Sequence, residues 1–267
     1  MIPSPRPGRM TRALPSLSVR WIAVWRRHFL VWQKLSLPSL VGNFGDPLLY
    51  LLALGYGLGR FVGSMDGMPY ISFLASGIVC SSAMNTATFE ALYSAFTRMT
   101  TQQTWAGMLA APLDVDDIVM GEMVWAGTKS LISAGAILLV ASALGIVHGA
   151  RALLVLPVAL LVGICFAAMA LVVTAISKNY EFFLYYVTLV VTPMMLFCGV
   201  FFPLGGLPQP LRWVAAFLPL THGVAIIRPL MTGAWPQNAP LDLLVLIVYG
   251  AACYTLATAL VKRRLLS

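Results

Sequence analysis

Charge is scarce in this chain of 267 residues: Asp, Glu, Lys and Arg make up 10%, against 60% hydrophobic residues. A soluble domain carries about 25% charged residues, so that class is excluded. Acid is scarcer still, with nine carboxylates against 17 Lys and Arg and a net charge of +8. The four cysteines, Cys80, Cys165, Cys198 and Cys253, stand singly in apolar runs with no CxxC pair, which leaves them as packing residues rather than redox or zinc ligands. His28, His148 and His222 are too dispersed for a metal site, and no HExxH occurs. The amino-terminal segment lacks the pattern of a secretory signal, because its apolar content starts late and charges interrupt it throughout.

Long apolar runs are what the chain has in quantity, and its mean hydropathy is +0.87. Runs of ~20 apolar residues cross a bilayer as helices, which satisfy their own backbone hydrogen bonds where water is absent. The expected fold is all-α: a polytopic membrane protein with six transmembrane helices near residues 37–60, 70–97, 121–147, 152–177, 182–202 and 240–261. Residues 203–234 are apolar too, but Pro203, Pro208, Pro210, Pro219 and Pro229 rule out one continuous helix. Two short segments around a break are expected there, an external re-entrant helical hairpin. The division is then a cytoplasmic tail with an interfacial helix over 1–36 and a single transmembrane domain over 37–267.

Basic residues flanking spans are retained in the cytoplasm. Arg6, Arg9, Arg12, Arg20, Arg26, Arg27 and Lys34 precede the first span, and Lys262, Arg263 and Arg264 follow the last. Both termini are therefore expected in the cytoplasm, which an even number of crossings allows. The excess charge reports topology and contact with anionic lipid, and gives no folded basic face for nucleic acid. In residues 17–34, Trp21, Trp25, Phe29 and Trp32 recur at helical spacing, with Arg20, Arg27 and Lys34 on another face. This predicts an amphipathic helix in the headgroup region, aromatics down and cations towards phosphate.

Two glycine patterns imitate nucleotide sites. GYGLG (55–59) has no preceding strand, and Gly55, Gly59 and Gly63 share a helical face suited to close packing. GEMVWAGTKS (121–130) is one residue too long for a phosphate loop and opens an apolar helix, so no nucleotide is expected on it. The acidic stretch is more distinctive: Asp114, Asp116, Asp117 and Glu122 are four of the nine carboxylates. Pro112 suits a helix start, and acids are favourable near a helix amino terminus. With Leu109, Leu113, Ile118 and Met120 interleaved, the segment reads either as a docking helix on the cytoplasmic side or as an ordinary solvated loop.

Three stretches together resemble a known family: GNFGDPLLYLLALGYGLG (42–59), LAAPLDVDDIVMGEMVWAGTK (109–129) and TPMMLFCGVFFPLGGLPQPLRWVAAFLPLTHGVAIIRPLMTG (192–233). They are similar to the membrane permeases of ABC-2 type exporters, and among these to NodJ-type lipo-oligosaccharide permeases. The resemblance implies a non-catalytic subunit of the bacterial cytoplasmic membrane, with two permease chains forming the pore. Two NodI-type ATPase chains would bind ATP and Mg, so the permease itself needs no cofactor. It also implies that Ala111, Pro112, Leu113, Asp114, Asp116 and Asp117 match the ATPase-coupling helix, about 109–120, and that Glu122 starts the third span. Residues 203–234 would match external re-entrant helices that close the pore.

An exported glycolipid calls for a path with apolar or aromatic surface and a few hydrogen-bonding groups. Tyr185, Tyr186, Phe197, Phe201 and Phe202 are candidates near the fifth span, each equally readable as a packing or lipid-facing aromatic. Asp46 and Glu90 are carboxylates inside spans, where burial is costly. Each suits an interface or water-filled path, while Asp46 also suits a cap at Pro47 and Glu90 a snorkelling position. His222 and Arg228 fall in the hairpin, available to headgroups or to structural hydrogen bonds. An ABC-2 permease for a drug or polysaccharide stands beside the glycolipid reading. Two different classes are an ion-coupled transporter and an intramembrane lipid-modifying enzyme; the second is disfavoured because Asp46, Glu90 and His222 are assigned to different depths.

Overall fold

The computed structural model describes residue 15 and residues 18–34, 36–147 and 149–266, without the side chains of 36–44, 46, 47 and 266. Of the tail and interfacial helix expected over 1–36, residues 1–14, 16, 17 and 35 lie outside the described residues, as do His148 and the side chain of Asp46.

The described chain is nearly all helix. Its elements are α1 (Trp21–Gln33), α2 (Ser36–Gly57), α3 (Gly59–Val62), a two-stranded hairpin β1 (Ser64–Met65) and β2 (Met68–Pro69), α4 (Tyr70–Phe89), α5 (Ala95–Met99), α6 (Thr104–Ala110) and α7 (Val115–Ala143). They continue with α8 (Val155–Ile176), α9 (Glu181–Tyr186), α10 (Thr192–Phe197), α11 (Gln209–Phe217), α12 (Pro219–Met231) and α13 (Ala239–Leu266). A π-helical turn, Glu90–Ser94, joins α4 to α5, and another, Val187–Val191, joins α9 to α10. Such bulges shift the register of a helix and often occur at functional sites.

The bundle is built around α8, which packs against α4, α7, α12 and α13. In lipid, tails are as apolar as leucine, so helices associate through close fit, and small residues provide it. A Cβ added at Gly163 of α8 would sit 2.5 Å from Ser130 Cβ, and one at Gly127 of α7 would meet Ile164 Cγ1 at 2.7 Å. The glycines of the phosphate-loop imitation are therefore packing positions inside a continuous helix. Of the glycines 55, 59 and 63, Gly55 packs hard against Ile71, whereas Gly63 has left the helix with φ +70 and opens the turn into the hairpin.

Three helices among the described residues are long and apolar enough to cross a membrane, Val115–Ala143, Ala150–Ile176 and Ala239–Leu265, or four if the bent pair α11 and α12 counts as one. The six crossings expected from hydropathy go beyond that number. The second expected span, α4, carries Ser72, Ser76, Ser81, Ser82, Asn85, Thr86 and Thr88, and nearly all of them face protein instead of lipid. The fifth is a shorter apolar helix, Glu181–Phe197. Between α11 and α12 the chain bends by 87° at Leu218, just before Pro219, where the prolines predicted a break.

One helix boundary differs from expectation. Residues 109–120 are not one helix: α6 ends at Ala110, residues 111–114 are a connection, and α7 starts at Val115. Asp114 fixes that start. Its side chain accepts from the Asp117 backbone N–H, while its own N–H donates to Asp117 Oδ2 at 3.0 Å, closing a reciprocal capping box. Glu122 accordingly lies about two turns inside α7. Helix α2 likewise runs through residues 46 and 47, so Asp46 does not cap a helix starting at Pro47.

Candidate functional site

Where α1, α5, α6 and α7 meet, the chain buries a group of charges. Glu122 is 1% exposed and Glu90 5% exposed, so each requires a partner. Arg98, from α5, supplies one to both. Its Nε donates to Glu122 Oε1 at 3.0 Å, and its Nη2 to Glu122 Oε2 at 2.5 Å and to Glu90 Oε1 at 2.9 Å. Lys129, two turns along α7 from Glu122, donates to Glu90 Oε2 at 2.9 Å. Two indoles complete the shell: Trp105 Nε1 donates to Glu122 Oε1 at 2.9 Å and Trp125 Nε1 to Glu90 Oε1 at 3.0 Å. His28 of α1 brings Nε2 to 3.2 Å from Glu122 Oε1, outside hydrogen-bonding alignment.

Two carboxylates thus balance two cations, with the indoles holding remaining lone pairs. Glu90 does not snorkel; the π-helical turn that it opens aims it into the bundle. The short helix α6 is tied in through Trp105, which is 1% exposed, and Met108 beside it is also buried. Its outward residues, Ala106, Gly107 and Ala110, and the exposed residues flanking it, Gln102, Gln103, Ala111 and Pro112, carry no charge.

The other acids of the stretch also point inward. Asp116 Oδ1 is 2.6 Å from Lys262 Nζ at the end of α13, and Asp117 accepts from Ser18 Oγ just before α1. Both are buried, and Asp114 and Leu113 are half-buried. Arg20 donates to the Pro112 carbonyl at 2.9 Å. The aromatic stripe of α1 is used in the same way: Trp25 Nε1 donates to Thr128 Oγ1 at 2.9 Å, Trp32 meets Trp125 edge-on, and Val24 packs on Gly121. These aromatics face α7, where hydropathy had them facing lipid.

At the opposite end, arginines bind carbonyls. Arg228 donates to Gly199 O at 2.5 Å and Ser76 Oγ at 3.0 Å, and its guanidinium lies 3.6 Å from the Phe73 ring centroid. His222 Nδ1 is 2.7 Å from Asp242 Oδ1 and Nε2 is 3.0 Å from Ala216 O, which joins α12 to α13 and to the end of α11. Both residues take the structural alternative to headgroup contact.

The ABC-2 type transporter family model matches residues 19–232. The chain is 46% identical over 253 residues to nodulation protein J of Rhizobium leguminosarum bv. viciae, covering 95% of this chain and 98% of that protein. It is 44% identical to nodulation protein J of Rhizobium meliloti (strain 1021), covering 95% and 97%. Against the inner membrane transport permease YadH of Escherichia coli (strain K12) it is 22% identical, covering 91% and 96%. The chain belongs to the ABC-2 type transporter family. It is a multi-pass membrane permease, a non-catalytic subunit whose ATPase is a separate partner.

The aromatics of the permease gather elsewhere than sequence reading placed them. Tyr185 is exposed, Tyr186, Phe197, Phe201 and Phe202 are half-buried, and no described ring contact joins them. The ring cluster is instead Phe89, Tyr93, Phe96, Tyr180 and Phe183, with Tyr93 and Tyr180 parallel at 6.3 Å. It spans the first π-helical turn and the start of α9. Arg98, Lys129, Trp105 and His28 were likewise missed, although the spacing of eight between Glu90 and Arg98 on one helix was a usable signal.

Proposed function

We propose that this permease works as a homodimer with two copies of a NodI-type ATPase, and exports a lipo-oligosaccharide or related glycolipid across the bacterial inner membrane. In this reading the chain crosses six times with both termini in the cytoplasm, and α1 lies at the cytoplasmic interface. ATP and Mg are bound by the ATPase. The relatives' name, nodulation protein J, supports the cargo class.

The observation that carries the coupling part is the buried ionic group. The uncharged outer face of α6 with Ala111 and Pro112 is the surface offered to the ATPase. Asp114, Asp116 and Asp117 act behind it by fixing the start of α7 and its neighbours. A displacement of α6 moves Trp105, hence Glu122, hence Arg98 and Glu90, because each link is a short bond between buried groups. α4, α5 and α7 then move as one unit, opening a path between the two permease chains. An ion-coupled mechanism needs a carboxylate that exchanges its cation, and of the carboxylates expected inside spans the described ones, Glu90 and Glu122, are each committed to fixed partners.

The test is ATP-driven uptake of a fluorescent lipo-oligosaccharide into inverted vesicles containing the permease and its ATPase. Uptake that needs both chains supports the reading. Uptake that persists without the ATPase and follows membrane potential contradicts it.

A further inference from the structure

Because Val24, His28 and the aromatic stripe of α1 are used against α7, the helix is left with a second amphipathic face. Ile22, Leu30 and Val31 are 42%, 50% and 51% exposed on it, among Arg26, Arg27 and Lys34. These six residues, with Ala23, line one shallow hollow. No carboxylate lies anywhere in α1, and none of the three cations forms an ion pair among the described residues. Exposed apolar side chains beside cations that lack an ion-pair partner among the described residues suit an occupant with an anionic head and an apolar body.

We propose that this face is a binding site for anionic phospholipid of the leaflet against which α1 lies. Its position fits: only Lys34 and Leu35 separate α1 from α2, and α1 crosses α7 near Gly121, Trp125 and Thr128, within four turns of the start of α7. The three cations reach towards phosphate while Ile22, Leu30 and Val31 rest on the acyl boundary. Because α1 touches Glu122 and Trp125, a bound lipid would brace the helix that lies over the ionic group, making export sensitive to the charge of the leaflet. This rests on the interfacial placement of α1 proposed above.

The full permease, with Cys253→Ala and a fluorophore on Gln33→Cys, at the end of α1 and outside the hollow, is reconstituted with its ATPase in phosphatidylcholine vesicles containing phosphatidylglycerol. Quenching by a spin-labelled phosphatidylcholine tests the placement of α1 alone. Quenching by spin-labelled phosphatidylglycerol, compared with that neutral lipid, tests the site. The expected result is neutral-lipid quenching in all proteins, with a preference for phosphatidylglycerol of about fivefold per cation. High salt or the triple variant Arg26→Gln, Arg27→Gln, Lys34→Gln should abolish that preference. No quenching by either lipid would overturn the placement and the site with it. Neutral quenching without preference would overturn the site alone, and so would a salt-resistant preference that survives in the variant. If the variant keeps the lipid preference but loses the ATPase, the face belongs to the ATPase and the lipid site is refuted.

Discussion

The two ends of the bundle hold their charges by different means. Around α6, the inner charges are held by carboxylates, Arg98 and Lys129 by Glu90 and Glu122, and Lys262 by Asp116, while the exposed Arg20 takes the Pro112 carbonyl. Around α11 and α12, the arginines meet backbone carbonyls, Arg228 at Gly199, Arg212 at Gly205 and Leu207, and Arg151 at Gly233, while the carboxylate of Asp242 meets His222. A carboxylate fixes a cation strongly and leaves a costly charge behind if its partner goes. A carbonyl belongs to the loop that it shapes, and losing its donor leaves only a neutral acceptor. The first arrangement suits a lever that must not slip, and the second suits loops that need a defined form while remaining able to move.

The sharpest break of that comparison is Glu122→Leu. It strands Arg98 with one carboxylate and leaves the Trp105 N–H without an acceptor, and removing one partner of a buried pair costs ~3–5 kcal/mol. The thermal unfolding midpoint of the purified permease should fall steeply, and a second change, Arg98→Met, should recover part of the loss. At the opposite end, Arg228→Met should cost about 1.5–3 kcal/mol, the value of hydrogen bonds made by a charged donor. Increased proteolysis within residues 199–233 should accompany it while the α6 region stays protected. Equal costs at both ends would remove the distinction.

Gly77→Ala tests how tightly the carbonyl end is built. A Cβ there would lie 2.8 Å from Val200 Cα, so α4 and the segment after α10 must separate, at ~1–3 kcal/mol. The smallest effect belongs to the capping box: Asp114→Ala should cost ~0.5–2 kcal/mol, read from the same unfolding curve. Since this loss is structural, ATPase retention should follow the amount of folded permease.

Much of this arrangement was legible beforehand, and for physical reasons. Apolar runs set the long helices, Pro219 set the break before α12, and the acids at 114–117 marked a helix start. The direction in which side chains point was not legible. Trp25 and Trp32 have the spacing of a lipid-facing stripe, yet Gly121 lets α1 approach α7 closely enough to turn them inward. Asp116 and Asp117 read as a docking surface because acid near a membrane suggests solvent; their partners, Lys262 and Ser18, lie 146 and 99 positions away. The helical start at Val115 was misplaced because Pro112 is an equally good local signal, and only the Asp114–Asp117 pairing decides between them. The ionic group needed Lys129 and Trp105 brought to Glu90 and Glu122 by tertiary packing, which no local pattern announces.

The most direct measurement is export and ATPase retention by Trp105→Phe, which keeps the ring in its pocket and removes only the N–H that reaches Glu122. The account predicts that the ATPase co-purifies as with the wild type and still hydrolyses ATP, while export per complex falls about tenfold or more. Export that matches the wild type, at equal amounts of complex, would mean that the buried ionic group does not carry the stroke.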